Sequence, residues 1–252
     1  MSTVKFYYSR LNDLEKYFCD RMVEGIKQLK KEIIVNVDMP MESYDNAFRA
    51  IEHDYPEIFY WDIENTRGKI RSGSSYFTLS YIYPNDMIRS YQSRLDSVVN
   101  SILTPTVRRL PKPEIEKVIH DWLVRNVTYS PKFTDVECFS IIGPLFCHSG
   151  VCAGYSKAFQ LLCERADINC LTISGRSTLP KDDTDTDMGH AWNMVQLSPT
   201  ERYQLDVTWD SCMFHYNCPD DKYYNRTDEE MSAEHSWNRA FYPRTKKPSY
   251  VT

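Results

Sequence analysis

Cys152 stands in Gly150-Val151-Cys152-Ala153-Gly154, directly ahead of an apolar pattern (Ala158, Phe159, Leu162, Cys163, Ala166) that predicts a helix. A thiol in the first turn of a helix feels the positive end of the dipole and its unpaired N–H groups, which favour thiolate over thiol. The same N–H groups can donate to an oxyanion. A thiol alone does little at neutral pH; beside an imidazole that a carboxylate orients, it can attack carbonyl carbon. Gly189-His190-Ala191-Trp192-Asn193 and Leu205-Asp206-Val207-Thr208-Trp209-Asp210 supply those two groups, His190 and Asp206.

Both partners are expected on one hairpin. Residues 189–197 alternate in polarity, Ser198-Pro199-Thr200 forms a short loop, and 201–208 reads as the returning strand. His190, Trp192 and Met194 then share one face of the first strand, and Gln204, Asp206 and Thr208 one face of the second. With residues 197 and 201 paired across the loop, His190 lies opposite Thr208 with Asp206 as its diagonal neighbour. A slip by a full pleat sets His190 directly opposite Asp206. Both registers keep imidazole and carboxylate within reach; a one-residue slip puts them on opposite faces.

Other elements must carry this constellation. Apolar residues at Leu11, Leu14, Phe18, Met22, Ile26, Leu29 and Ile33 describe one face of a helix over about 11–34, followed by a strand at 33–37. A helix is expected near 44–53, then strands near 58–63 and 76–82 with turns at Arg67-Gly68-Lys69 and Ser72-Gly73-Ser74. A second amphipathic helix runs from Asp86 to Ile102. Beyond it, Pro105, Pro111 and Pro113 break helical continuity and mark either a domain boundary or a hinge in one larger domain; as a boundary it leaves residues 1–104 as an N-terminal α+β region and 112–252 as the domain carrying the cysteine, histidine and aspartate islands. Pro113 suits the first turn of the next helix, and Cys170–Ser174 reads as a strand. Thr227-Asp228-Glu229-Glu230 has the form of a capping box.

Composition narrows the function classes. At 252 residues the chain can bury a substantial core, and 42% hydrophobic with 26% charged residues is ordinary for a globular protein. A net charge of -5 without a basic stripe argues against nucleic acid as a partner, and no apolar run approaches membrane-spanning length. The eight cysteines are spread through a mid-sized chain, which favours reduced thiols in a cytoplasmic protein over a disulfide framework. A signal removed ahead of Met1 would change that expectation, and would give meaning to the sequons at Asn126 and Asn225.

The three islands resemble the core of the transglutaminase-like superfamily. The order cysteine, histidine, aspartate fits, as does the spacing of 38 residues from 152 to 190 and 16 from 190 to 206. The resemblance extends upstream through His120–Tyr129 and downstream through Tyr223–Glu230. It implies a papain-like α+β core in which a cysteine-bearing helix faces an antiparallel sheet. It also implies Cys152 as nucleophile, His190 as general base and acid, and Asp206 as the group orienting the imidazole. The family holds transamidating enzymes, peptidases, amidases and members without activity. The expected activity is therefore acyl transfer at an amide bond of a peptide or protein, hydrolysis slightly ahead of transamidation; the alternative is an inactive peptide-binding module. No cofactor is called for.

Tyr129, His148 and Trp192 are secondary candidates for substrate or oxyanion contacts, although Trp192 and Trp209 also read as packing that shields the site. His120 and His235 read as structural. Cys212-x-x-His215-x-x-Cys218, with Cys147 or His148, offers zinc ligand types at a non-standard spacing. Asp183, Asp185 and Asp187 alternate like a calcium loop, but Met188 and Met194 stand where such a loop needs glycine and glutamate. A solvated loop is the expected reading; the alternative, since the loop immediately precedes His190, is that it lines the substrate cleft, where its charge would disfavour acidic substrates.

Overall fold

In a computed structural model, which describes residues 3–130, 134–178 and 189–247, the long apolar repeat near the N-terminus folds as two elements. A short helix α1 (Phe6–Ser9) precedes helix α2 (Asp13–Lys27), which starts at a capping box between Asn12 and Glu15. The helix stops ahead of Leu29, whose φ of 54° is left-handed. The chain continues as strand β1 (Glu32–Val35), where Ile33 and Val35 are buried. Ile33 thus keeps the helical rhythm by chance of spacing while reaching the core from a strand.

Helix α3 (Met41–Asp54) comes next, then a hairpin of β2 (Trp61–Arg71) and β3 (Ser74–Tyr81). Ser72 and Gly73, with φ of 50° and 75°, make its two-residue turn. Arg67-Gly68-Lys69 is strand rather than turn, and Gly68 is small because the Phe77 ring crosses it: a Cβ there would lie 2.5 Å from that ring. The antiparallel sheet runs β1-β3-β2. Phe18, Tyr44, Phe48 and Phe77 join its inner face to α2 and α3, with ring centroids 5.1 to 6.1 Å apart. Val4–Asp96 forms one compact unit and Ser97 onward belongs to a second; α4 (Asn85–Ile102) runs through the division.

The second unit holds α5 (Lys112–Asn126), the short parallel pair β4 (Thr128–Tyr129) and β5 (Ser149–Gly150), and α6 (Cys152–Arg165). Strands β6 (Asn169–Ser177), β7 (Gly189–Ser198) and β8 (Glu201–Leu205) lead to helix α7 (Val207–His215). Helix α8 (Asp228–Met231), opened by the Thr227–Glu230 capping box, and strand β9 (His235–Trp237) complete it. The sheet order is β8-β7-β6-β9, antiparallel throughout.

Helix α6 is keyed to this sheet by buried amides as well as by Ala158, Phe159 and Leu162. Asn193 on β7 donates to the Ser156 carbonyl at 3.0 Å, and Thr172 on β6 donates to Gln160 at 2.8 Å. The result is the expected α+β arrangement: a helix beginning at Cys152 lies on an antiparallel sheet, preceded by a smaller α+β region. Among the described residues no helix is long and apolar enough to cross a membrane.

Candidate active site

Cys152 opens α6 after Val151, the extended residue that precedes the helix and lends it no side-chain cap. Among the described residues, no N-cap side chain takes the first-turn N–H groups. Behind it, Val151 donates its N–H to the Cys138 carbonyl at 3.0 Å. A Cβ on Gly154 would run into that same carbonyl oxygen, so the helix start can press against residues 138–140 only with glycine here. Gly154→Ala is expected to lower stability by about 1–3 kcal/mol, as overpacking does. Thermal unfolding checks this, and an unchanged Tm would show that the 138–140 segment yields freely.

His190 lies near the start of β7 and is 9% exposed. The ladder from Asn193↔Leu205 to Gln196↔Arg202 follows the register set by pairing 197 with 201. The returning strand, however, ends at Leu205 rather than Thr208, and residues 207–215 are helix. Asp206 is the N-cap of that helix: its Oδ1 accepts from Thr208 N at 3.0 Å and Trp209 N at 3.2 Å. Its Oδ2 accepts from His190 Nε2 at 2.6 Å and His235 Nε2 at 3.0 Å. The sequence expectation of a cross-strand pair is thus corrected to a contact between a strand and a helix cap. The cap fixes the carboxylate more firmly than a strand position would, because two backbone donors hold one oxygen while the other faces the imidazoles.

The electrostatics come from burial and pairing. Asp206 is fully buried, which by itself would raise its pKa, yet His190 and His235 hold it well below the usual carboxylate range. Burial would push His190 down, but the charge and hydrogen bond of Asp206, together with a hydrogen bond to Cys152, raise it to about 10. A carboxylate cannot donate, so Nε2 carries the hydrogen toward Asp206. Nδ1 is left for the thiol.

Around the imidazole, Trp192 stacks at 5.8 Å and 24°, and Trp209 lies at 5.8 Å and 37°. Trp192 is buried and donates Nε1–H to Gln204 at 2.6 Å, which donates to Asp228 at 2.7 Å. Its placement is therefore beneath the ring. Tyr129, opposite Gly150 in the β4–β5 pair, is partly exposed. Burial and then the charges of Cys152, Cys212 and Asp206 raise its hydroxyl to about 12. His148 has a left-handed backbone, its Nδ1 donates to the Asn126 carbonyl at 3.0 Å, and its ring lies 5.9 Å from Trp122.

His120 belongs to a second buried pair. Its Nδ1 contacts Asp121 at 2.9 Å and its Nε2 contacts Asp210, one turn beyond Asp206, at 3.1 Å. Burial opposes its charge, but the two carboxylates raise its pKa above the ordinary value. Asp210 in turn accepts from Tyr223 N at 2.9 Å, and Tyr223 O accepts from Asp206 N at 3.1 Å. The pair thereby holds the segment against which the cap is seated.

The metal expectations fare differently. Among the described residues, the His/Cys/Asp/Glu group close enough to hold an ion is His190, Asp206 and His235, not the Cys212–His215–Cys218 set. His215 instead donates to the Val127 carbonyl at 3.1 Å, and Cys218 contacts the Tyr216 carbonyl. Asp183, Asp185 and Asp187 lie outside the described residues.

Residues 101–209 match the model of the transglutaminase-like superfamily. Over those residues the chain is transglutaminase-like. No curated protein matches the chain in sequence. Among solved structures, a TGase is 8% identical, with a TM-score of 0.39 and coverage of 70% of this chain and 50% of its own. A candidate cysteine protease from Cytophaga hutchinsonii is 13% identical, with a TM-score of 0.35 and coverage of 57% of this chain and 61% of its own. The periplasmic domain of TgpA from Pseudomonas aeruginosa is 12% identical, with a TM-score of 0.31 and coverage of 71% of both chains. This chain spans about half the length of the TGase. The transglutaminase-like match ends at residue 209, just past Asp206, so it reaches all three islands but stops short of His235.

Proposed function

We propose that the transglutaminase-like domain is a cysteine-dependent acyl-transfer enzyme acting on an amide bond of a peptide or protein. The observation that carries this reading is the continuous chain from Cys152 through His190 to the buried, doubly capped Asp206. In the first half, the Cys152 thiolate attacks the amide carbonyl carbon to give a tetrahedral oxyanion. N–H groups of the first turn of α6 are placed to meet it. The C–N bond then breaks, the His190 imidazolium gives its proton to the departing amine, and a thioester remains. In the second half, water attacks the thioester carbonyl while His190 takes one proton. The acid departs and the thiolate–imidazolium pair is restored.

Water is preferred over an amine acceptor because it is always present. The inactive-module alternative would gain support from His190 and Asp206 on opposite sides of the sheet; instead they are 2.6 Å apart.

The test is a peptide and amide library followed by mass spectrometry with wild type and Cys152→Ala, with and without an added primary amine. Products are expected only with wild type. A product one water heavier than the substrate marks hydrolysis; one carrying the amine marks transamidation. In parallel, iodoacetamide is expected to label Cys152 far faster than the other seven cysteines at neutral pH, where an ordinary thiol is only a few per cent ionised. Equal labelling of all eight, or products that persist in the alanine variant, would overturn the reading.

A further inference from the structure

We propose that His235 is a positioning residue for the Cys152–His190 pair, acting through Asp206; this rests on the reading of those residues as the reacting set. His235 comes 29 residues after Asp206, on the edge strand β9, where it pairs with Ser177. Its ring is fully enclosed, with Trp209 at 4.5 Å, Trp192 at 4.9 Å and Tyr223 at 5.8 Å. Such a box suits an apolar ring. An imidazole there leaves a buried nitrogen without a partner, and among the described residues His235 Nδ1 has none. What the imidazole gains in return is one contact, Nε2 to Asp206 Oδ2 at 3.0 Å.

That contact falls on the same oxygen that faces His190. Two donors on Oδ2 and two on Oδ1 leave the carboxylate no freedom to rotate, so the direction in which His190 is held is set from both ends. The second donor also divides the carboxylate's charge. His190 therefore receives less of it than it would from an Asp206 of its own, and its proton is held less tightly. Without the His235 donor, the charge concentrates on His190 and its titration moves up.

Other groups face this centre from every packed element: Cys152 on α6, Tyr129 on β4, Asp210 and Cys212 on α7, and Glu234 next to His235. None of them donates to Oδ2.

The experiment compares wild type, His235→Gln and His235→Phe, with the imidazoles labelled by nitrogen-15. Glutamine can present an amide donor where Nε2 stands; phenylalanine keeps a ring in the box and removes the donor. In the wild type, His235 Nε2 is expected to carry its hydrogen throughout pH 5–10; a bare Nε2 would overturn the proposal even if neither variant folds. The His190 titration is expected to move up by roughly half a pH unit or more in His235→Phe and to stay near wild type in His235→Gln. A phenylalanine variant that titrates like wild type, or two variants that titrate alike, would refute the positioning role, since a residue that only packs has no reason to move it. These readouts need no turnover. A silent substrate library would therefore count against the acyl-transfer reading while leaving the His235 result to be judged alone.

Discussion

Replacing Asp206 by asparagine is expected to lower turnover by about 10²–10⁴-fold while leaving the start of α7 capped. The asparagine Oδ1 can still accept from Thr208 N and Trp209 N. The other terminus becomes an NH₂ group, and it meets two nitrogens that both point hydrogens at it. His190 can relieve the conflict only by moving its hydrogen to Nδ1, the nitrogen that must take the thiol proton. Cys152 then has no acceptor for its proton, and its alkylation falls by about tenfold or more. Asp206→Ala should also reduce alkylation. It loses the cap as well, worth about 1 kcal/mol, and strands two buried imidazoles, so it should unfold at distinctly lower temperature than the asparagine variant. Alkylation rates at Cys152, followed by mass spectrometry beside circular dichroism, separate the two effects. An asparagine variant that alkylates at the wild-type rate would mean that the carboxylate does not set the tautomer.

The three residues proposed to react are legible in the sequence because each stands in its own local pattern. Cys152 lies where an apolar helical pattern begins, and His190 lies on a strand whose alternation fixes its face. The hairpin register came out as the loop length requires, from Asn193↔Leu205 onward. Asp206 was found for an incomplete reason. Alternation of Gln204, Asp206 and Thr208 reads as one strand face, but an aspartate followed by Val207-Thr208-Trp209-Asp210 is equally a helix cap. The two N–H groups it satisfies decide between them. His235 had no such signal: it sits far along the chain on a three-residue edge strand, and what brings it to Asp206 is sheet order, which no local pattern encodes. The same holds in the N-terminal unit, where Gly68 looks like a turn residue until Phe77 is seen lying across it.

Nor did any pattern mark Glu116, a carboxylate on the buried face of α5 that makes the strongest remaining prediction. Its Oε2 accepts from Tyr224 OH and from Asn225 Nδ2, the latter at 3.1 Å. Among the described residues its Oε1 has no partner, and neither has the Oδ1 of the same Asn225. A buried carboxylate oxygen without a donor suits a neutral carboxylic acid better than a charged one.

Burial raises Glu116 from 4.5 to about 7, against the opposing hydrogen bonds of Tyr224 and Asn225 and the charge of His120. The unfolded chain releases this proton near 4.5 and the folded chain only near 7, so between those values the folded state binds more protons. Stability then falls as pH rises, by about 3 kcal/mol once both states are ionised. Glutamine at this position keeps an acceptor for Tyr224 and Asn225 and carries no charge to bury. Glu116→Gln is therefore expected to match wild type near pH 4.5 and to be more stable by about 1–3 kcal/mol at pH 8. The lower figure applies if the charged His120 misses its neighbouring carboxylate. Urea unfolding at the two pH values measures this directly. A glutamine variant less stable than wild type at pH 8 would show that the ionised carboxylate, not the acid, is what the α5 core is built to hold.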